Sequence, residues 1–282
     1  MAGPFSDITE TIFANKEVLS ESYQPETILK RDEEIEEYRY ALQDVLFGRN
    51  PENIMLYGKA GLGKTAVTTY MMEALSKEVE TREEADPLHI HDINCNGKTL
   101  FMVVRSLVNI LLPGEASPFP KHGLGTGDAF DELYKQLDRV GDTHLIVFDE
   151  IDHLDKVNTL LYELPRARSN GHITTARIGI IGISNNYTFR KSLSSKVKDT
   201  LMETEISFSP YDPSQDYNQF YKYRFEVAKR LSDGNYTPPI KKFKTPVYVR
   251  ISIHRSIYRK SYKCVKVGDR ESVKELQQRR QY

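Results

Sequence analysis

Eight consecutive residues, Gly58-Lys59-Ala60-Gly61-Leu62-Gly63-Lys64-Thr65, combine the parts needed to hold a chain of phosphates. They fit the pattern G-x-x-x-x-G-K-[ST]. Glycines let the backbone turn its N–H groups inward around an anion, and a helix beginning at the loop's end adds partial positive charge. Lys64 is placed to reach the β and γ phosphates, and the Thr65 hydroxyl is placed to hold Mg²⁺. A glycine turn that merely shares the pattern is the plain alternative. The flanks favour the cradle. Residues 53–57 (Asn-Ile-Met-Leu-Tyr) read as a short buried strand, and Val67, Tyr70, Met71, Ala74 and Leu75 recur at helical spacing from Ala66 onward.

A second chemical signal lies downstream in Leu145-Ile146-Val147-Phe148-Asp149-Glu150. Four apolar residues make a buried strand with two acids at its C-terminal tip, where open α/β sheets bind ligands. Asp149 there can bind the Mg²⁺ that bridges the phosphates, and Glu150 can polarise a water. Acids that only cap a strand would look alike in isolation. Their distance after the glycine loop, with strands and helices alternating between, favours the metal and water roles. A third strand, residues 176–183, runs into Ser184-Asn185-Asn186. One of these amides could hydrogen-bond the γ-phosphate or its attacking water, or both could simply form a turn. His89 and His91 share one face of a strand and read as a solvent-side pair rather than metal ligands.

These groups need a scaffold, and the periodicities supply one. Residues 31–47 read as a helix with the stripe Ile35, Tyr38, Leu42, Val45 and Leu46, stopped by Gly48. Residues 88–94 alternate as a strand. Helices follow over 99–112 and 129–140, separated by a Gly- and Pro-rich loop or insertion over 113–126. A helix over 155–164 ends at Pro165, a short helix covers 193–201, and residues 203–208 alternate as a last strand. The expected fold is α/β, with a mainly parallel five-stranded sheet and helices on both faces.

The 282 residues allow one or two domains. The net charge of −1 hides an asymmetry: residues 1–213 carry 22 Lys and Arg against 34 Asp and Glu, whereas residues 214–282 carry 17 against 6. Cys95 and Cys264 are too few for a disulfide framework or a zinc site, so a reducing compartment is the simplest inference. No apolar run approaches membrane-spanning length, and the N-terminus lacks a signal-peptide core. A cytoplasmic protein without membrane contact is expected.

The motifs together resemble the AAA+ ATPases, and within them the archaeal origin-recognition and cell-division-control initiators of DNA replication. The resemblance rests on residues 19–26 (Leu-Ser-Glu-Ser-Tyr-Gln-Pro-Glu) with Arg31-Asp32-Glu33-Glu34-Ile35, and on the phosphate loop within residues 53–68. It also rests on Phe148-Asp149-Glu150-Ile151-Asp152, and on residues 182–186 (Gly-Ile-Ser-Asn-Asn) with Phe189-Arg190 and Val197-Lys198. It covers about residues 10–213.

It implies ATP and Mg²⁺ as cofactors, with Gly58, Lys59, Ala60, Gly61, Leu62, Gly63, Lys64, Thr65 and Ala66 around the phosphates and Thr65 and Asp149 on the metal. Tyr23, Gln24 and Pro25, with Tyr211, would lie near the adenine. Glu150 would activate water and Asn185 would be the sensor-1 residue. Lys196 stands where the family usually has an arginine finger; lysine keeps the charge but loses the planar fork. The segment around residues 113–127 would correspond to the initiator-specific element that touches origin DNA. Double-stranded origin DNA, other initiator subunits and the replicative helicase are the implied partners.

Residues 1–213, including a lead-in over 1–30, are expected to form the nucleotide-binding domain. No helical lid, sensor-2 motif or winged-helix domain is recognisable after residue 215. The segment 214–282 reads as an irregular basic tail, and an out-of-frame or degraded continuation of a longer gene is the expected origin. Its basic runs interleaved with aromatics, such as Lys241-Lys242-Phe243-Lys244, could also contact nucleic acid. The function implied is an ATP-binding initiator with slow Mg²⁺-dependent hydrolysis, binding being better kept than turnover. The alternatives are a truncated paralogue that binds DNA or a partner without turnover, or another AAA+ class.

Overall fold

A computed structural model describes residues 27–112, 119, 125–201 and 203–211. Five strands form one sheet: β1 (Ile54–Tyr57), β2 (Leu88–Asn94), β3 (Thr143–Asp149), β4 (Arg177–Ser184) and β5 (Thr204–Ser207). Their order is β2-β3-β4-β1-β5, and every neighbouring pair is parallel. All four residues of β1 are buried, as is β3 from Thr143 to Phe148. Parallel strands covered on both faces need such unbroken apolar runs.

The order matters for the chemistry. β4 lies between β1 and β3, so their C-terminal tips, carrying the glycine loop, the amide and the acids, sit side by side on one edge. Side chains alternate across the sheet. Met55, Ile146, Phe148 and Ile180 enter a core with Val103, Val104 and Leu107 of α3 (Leu100–Leu111), Leu133 and Leu137 of α4 (Thr126–Val140), and Leu160 and Leu161 of α5 (Val157–Arg166). The intervening Ile54, Leu56, Leu145, Val147, Ile181 and Ile183 are equally buried. The helix α1 (Asp32–Leu42) lies against β5 and against α2 (Lys64–Glu80), which also meets β2.

Helix ends follow local chemistry. Asp32, Glu33 and Glu34 occupy the first turn of α1, where the helix dipole favours acids. A 3-10 turn, Gln43–Phe47, extends α1 to Gly48, whose φ of 61° closes it. The Thr99 hydroxyl accepts the N–H of Met102 to start α3, and the Asp128 carboxylate accepts the N–H of Gly125 to start α4. Pro165 does not end α5 as the sequence suggests. It sits inside the last turn, where its missing N–H costs one bond rather than a run of them, and the helix closes one residue later. Two short helices, α6 (Phe189–Ser192) and α7 (Ser195–Leu201), lead to β5.

The chain divides into two units, Arg31–Pro210 and a second made of Met1–Lys30 with Tyr211–Tyr282. The description above is of the first. The expected lead-in with Tyr23, Gln24 and Pro25, most of the insertion and all of the basic tail lie outside the described residues. Within the insertion Phe119 is described: it is buried and meets Phe101 edge-on at 5.9 Å.

Candidate functional site

β1 delivers the chain directly into the glycine loop. Gly61 and Gly63 adopt φ of 81° and 88°, a region that side chains disfavour. Gly58 is needed for a different reason: a Cβ there would lie 2.9 Å from the Cβ of Phe208 and 3.0 Å from its carbonyl oxygen. The loop is thus pressed against the segment leaving β5. Among the described residues, none accepts a hydrogen bond from the backbone N–H groups of Lys59 to Lys64. A row of unengaged donors at the start of a 17-residue helix is an anion site by construction.

Lys64 is 4% exposed. Its Nζ donates to the carbonyls of Gly58 at 2.8 Å and Lys59 at 3.0 Å, and to Oδ1 of Asn185 at 2.9 Å. Burial pulls its pKa below the ordinary lysine value, and Asp149, Asp152 and Glu150 push it back up. Three oxygens around Nζ favour the charged form, so the ammonium is held ready in a partly dry site.

The Thr65 hydroxyl donates to Oδ2 of Asp149 at 2.9 Å, although β1 and β3 are not neighbours. Oδ1 of Asp149 accepts the Glu150 N–H at 2.8 Å. Burial raises the Asp149 carboxyl above its usual range against those two bonds, and Asp92 on β2 is raised by burial and by Asp149 itself. A hydroxyl and a partly desolvated carboxylate are hard oxygen donors, a set that fits Mg²⁺ better than a softer metal. Glu150 stands at φ 54°, ψ 40°, a left-handed backbone costing about 1–3 kcal/mol for a non-glycine residue. Its carboxylate accepts no hydrogen bond from another described residue.

The two amides left open by the sequence divide the work. Asn185 aims its oxygen at Lys64, and its own N–H donates to Oδ1 of Asp152 at 3.2 Å. Asn186 forms the turn, accepting from the N–H and hydroxyl of Thr188, both at 2.8 Å. Ala66 lies in the first turn of α2 and Tyr211 at the end of the described segment. Lys196 is exposed on α7, outside the network of Lys64, Asn185, Thr65 and Asp149.

Two contributors carried no assigned role in the sequence. Asp152, three residues past Asp149, holds the backbone of Asn185. Arg31, 3% exposed, reaches the loop from the start of α1. Its partners are 31 and 178 residues away, a separation no local pattern reveals.

The histidines require a correction. His91 is buried, and its Nε2 lies 2.9 Å from Nδ1 of His144, which is fully buried. The parallel register sets His89 beside His144, so the three rings stack. His144 Nε2 lies 2.7 Å from the Gly141 carbonyl and must donate to it, so His91 donates to His144. Both are neutral, and burial holds each pKa down to about 4.

A parallel sheet of this order, with a glycine loop on β1, an amide on β4 and an acid on β3, defines a P-loop nucleotide-binding domain of the AAA class. The family described as "AAA domain" matches residues 48–184. The ORC1-type DNA replication protein 8 of Halobacterium salinarum is 47% identical over 216 residues, 76% of this chain and 54% of the relative. The ORC1-type DNA replication protein 15 of Haloarcula marismortui is 47% identical over 231 residues, 80% of this chain and 54% of the relative. The Aeropyrum pernix ORC1 protein, solved in complex with DNA, superposes with a TM-score of 0.66 at 28% identity, covering 79% of this chain and 56% of that one. The chain belongs to the AAA+ proteins and within them is similar to the archaeal ORC1-type DNA replication proteins. It spans about half the length of the curated relatives it matches.

Proposed function

We propose that this chain binds ATP with Mg²⁺ and acts as a replication initiator that contacts double-stranded origin DNA. The observation that carries the reading is the convergence at three adjacent strand tips: Lys64 on Asn185, and Thr65 on Asp149. Residues 58–66 cradle the phosphates. Lys64 exchanges its carbonyl partners for phosphate oxygens, and Thr65 and Asp149 hold the metal. Mg²⁺ bound there would supply the positive charge that neutralises the phosphates. Glu150, free of competing hydrogen bonds, takes the proton of the attacking water; Asn185 orients that water or the γ-phosphate. Tyr23, Pro25 and Tyr211 are assigned to the adenine, and Lys196 to the site of a neighbouring subunit, replacing an arginine. A single exposed lysine lacks the fork that matches phosphate oxygens, so turnover is slow and nucleotide serves as a switch.

DNA enters the proposal because the similar Aeropyrum pernix ORC1 protein was solved in complex with DNA. Other initiator subunits and the replicative helicase are the proposed protein partners, and a cytoplasmic location fits them. The nucleotide-binding domain is assigned to residues 1–213, with 214–282 as a separate basic segment. Titration of the full chain with a fluorescent ATP analogue, alongside Lys64→Ala and a phosphate-release assay, tests the reading. Saturable Mg²⁺-dependent binding that Lys64→Ala removes supports it. Absence of nucleotide binding by the unaltered chain overturns it.

A further inference from the structure

The buried guanidinium of Arg31 does something that the nucleotide site alone does not explain. Its Nη2 donates to the Leu62 carbonyl at 2.9 Å and to the Ser209 carbonyl at 3.0 Å. Its Cζ lies 5.0 Å from the centre of the Phe208 ring, and Nη1 is paired with Glu34. One side chain therefore joins three pieces of backbone that the sequence keeps apart: the entry to α1, the middle of the phosphate loop and the exit from β5.

The consequence follows from peptide geometry. In a trans peptide the carbonyl and the next N–H point in opposite directions, and the described chain has no cis bond. Arg31 draws the Leu62 oxygen towards the Phe208 side, so the N–H of Gly63 faces the other way, to the loop's open side. That N–H is one of the donors that no described residue engages. Rotating this peptide changes ψ of Leu62 and φ of Gly63, and a glycine offers little resistance to the second. Without an external tether, the Leu62–Gly63 peptide could turn its oxygen into the cradle, placing a partial negative charge where the anion binds.

We infer that Arg31 is a positioning residue of the phosphate loop, fixing the Leu62–Gly63 peptide with its N–H towards the phosphates and tying that orientation to the segment that follows β5. This rests on the nucleotide-binding reading above. The coupling is reciprocal. Phosphate at the loop stabilises the orientation that Arg31 enforces, and so stabilises the Arg31–Ser209 contact. Movement of the chain after Phe208 would in turn release the loop. Tyr187, just past Asn185, adds a second tie, its hydroxyl donating to the Phe208 carbonyl at 2.6 Å.

The test uses the full chain with Arg31→Lys and Arg31→Met. Lysine retains the charge but cannot span the two carbonyls and Glu34 with a planar fork. The expected result is a loss of affinity of about tenfold or more for ADP and pyrophosphate in both variants, with adenosine affinity within twofold of the unaltered chain. Hydrogen exchange over residues 58–66 would also lose its ADP-dependent protection. A purely structural role for Arg31 would lower the melting temperature and weaken adenosine and ADP alike, which overturns the inference. If Arg31→Lys binds ADP and pyrophosphate like the unaltered chain while Lys64→Ala does not, this inference fails and the nucleotide reading stands. If the unaltered chain binds no phosphate ligand, both fail together. Should Arg31→Met prove unfolded, Arg31→Lys decides.

Discussion

The two ends of β3 bury polar side chains in opposite ways. At its start, His144 accepts from His91 and donates to the Gly141 carbonyl, while His89 lies 3.1 Å from Asp142. His91 and His144 satisfy each other and the Gly141 carbonyl and stay neutral; among the described residues no group of three or more His, Cys, Asp and Glu side chains suits a metal. At its finish, Asp149 shares the Thr65 hydroxyl, Glu150 holds a strained backbone with a carboxylate that no other described residue engages, and the loop's N–H donors find no acceptor among the described residues. Both ends contain a base whose pKa burial lowers. Lys64 is surrounded by oxygens and acids, whereas His91 and His144 are surrounded by each other. Burial of polar groups therefore does not mark the site. Incomplete satisfaction does.

The largest test of that contrast is Lys64→Ala. It should weaken ATP-analogue binding at least about 100-fold, as expected when a charged phosphate donor is removed. The melting curve without nucleotide should move little, since the carbonyls of Gly58 and Lys59 can turn to water. Equal losses of stability and binding would erase the distinction between the two ends. Glu150→Gln should cut phosphate release about 100-fold while leaving the dissociation constant within threefold. A matching loss of affinity would make Glu150 a ligand rather than a base.

At the other end, acid is the probe. Both histidines resist protonation in the fold, with pKa about 4, while the unfolded chain takes protons near 6.5. Their contribution is complete above pH 6.5 and falls as pH drops from 6.5 towards 4, by up to roughly 3 kcal/mol for each histidine. Below that range it is flat. Chemical denaturation between pH 7 and 4.5 reads it, and replacing both His91 and His144 with leucine should flatten the profile. A slope unchanged in that double variant would assign the acid sensitivity elsewhere.

The smallest expected effect is Gly179→Ala in the middle strand, where a Cβ would meet Pro51 Cβ at 2.5 Å and Leu145 Cδ2 at 2.7 Å. Overpacking there should cost about 1–3 kcal/mol of stability, seen as a lower melting temperature, with nucleotide affinity unchanged in the folded fraction.

Much of this was legible in the sequence because the signals are local. β2 falls on residues 88–94 as its alternation indicates, and the loop and the Asp149-Glu150 pair announce themselves by type and order. The histidine stack was missed because register between strands is not written in either strand alone: His89 and His91 meet His144 only once β2 pairs with β3. The residue pattern alone left Asn185 and Asn186 open, the family resemblance pointed to Asn185, and the turn at Thr188 accounts for Asn186. Arg31 escaped because a helix-opening arginine is ordinarily a solvated charge, and nothing nearby in sequence signals a carbonyl 178 residues on. Local chemistry is readable; convergence over long separations requires coordinates.

The placement of β4 between β1 and β3 makes the sheet a gauge block. Strands pack about 4.8 Å apart, so the interval between loop and acid is set by one intervening strand, not by any loop's length. Sliding β4 by two residues, which keeps each side chain on its own face, would shift Asn185 roughly 6.6 Å along the strand and leave the Thr65–Asp149 interval untouched. Detection of the terminal phosphate and grip on the metal are thus separately adjustable, and relatives could retune the first by drift in one strand while inheriting the second unaltered.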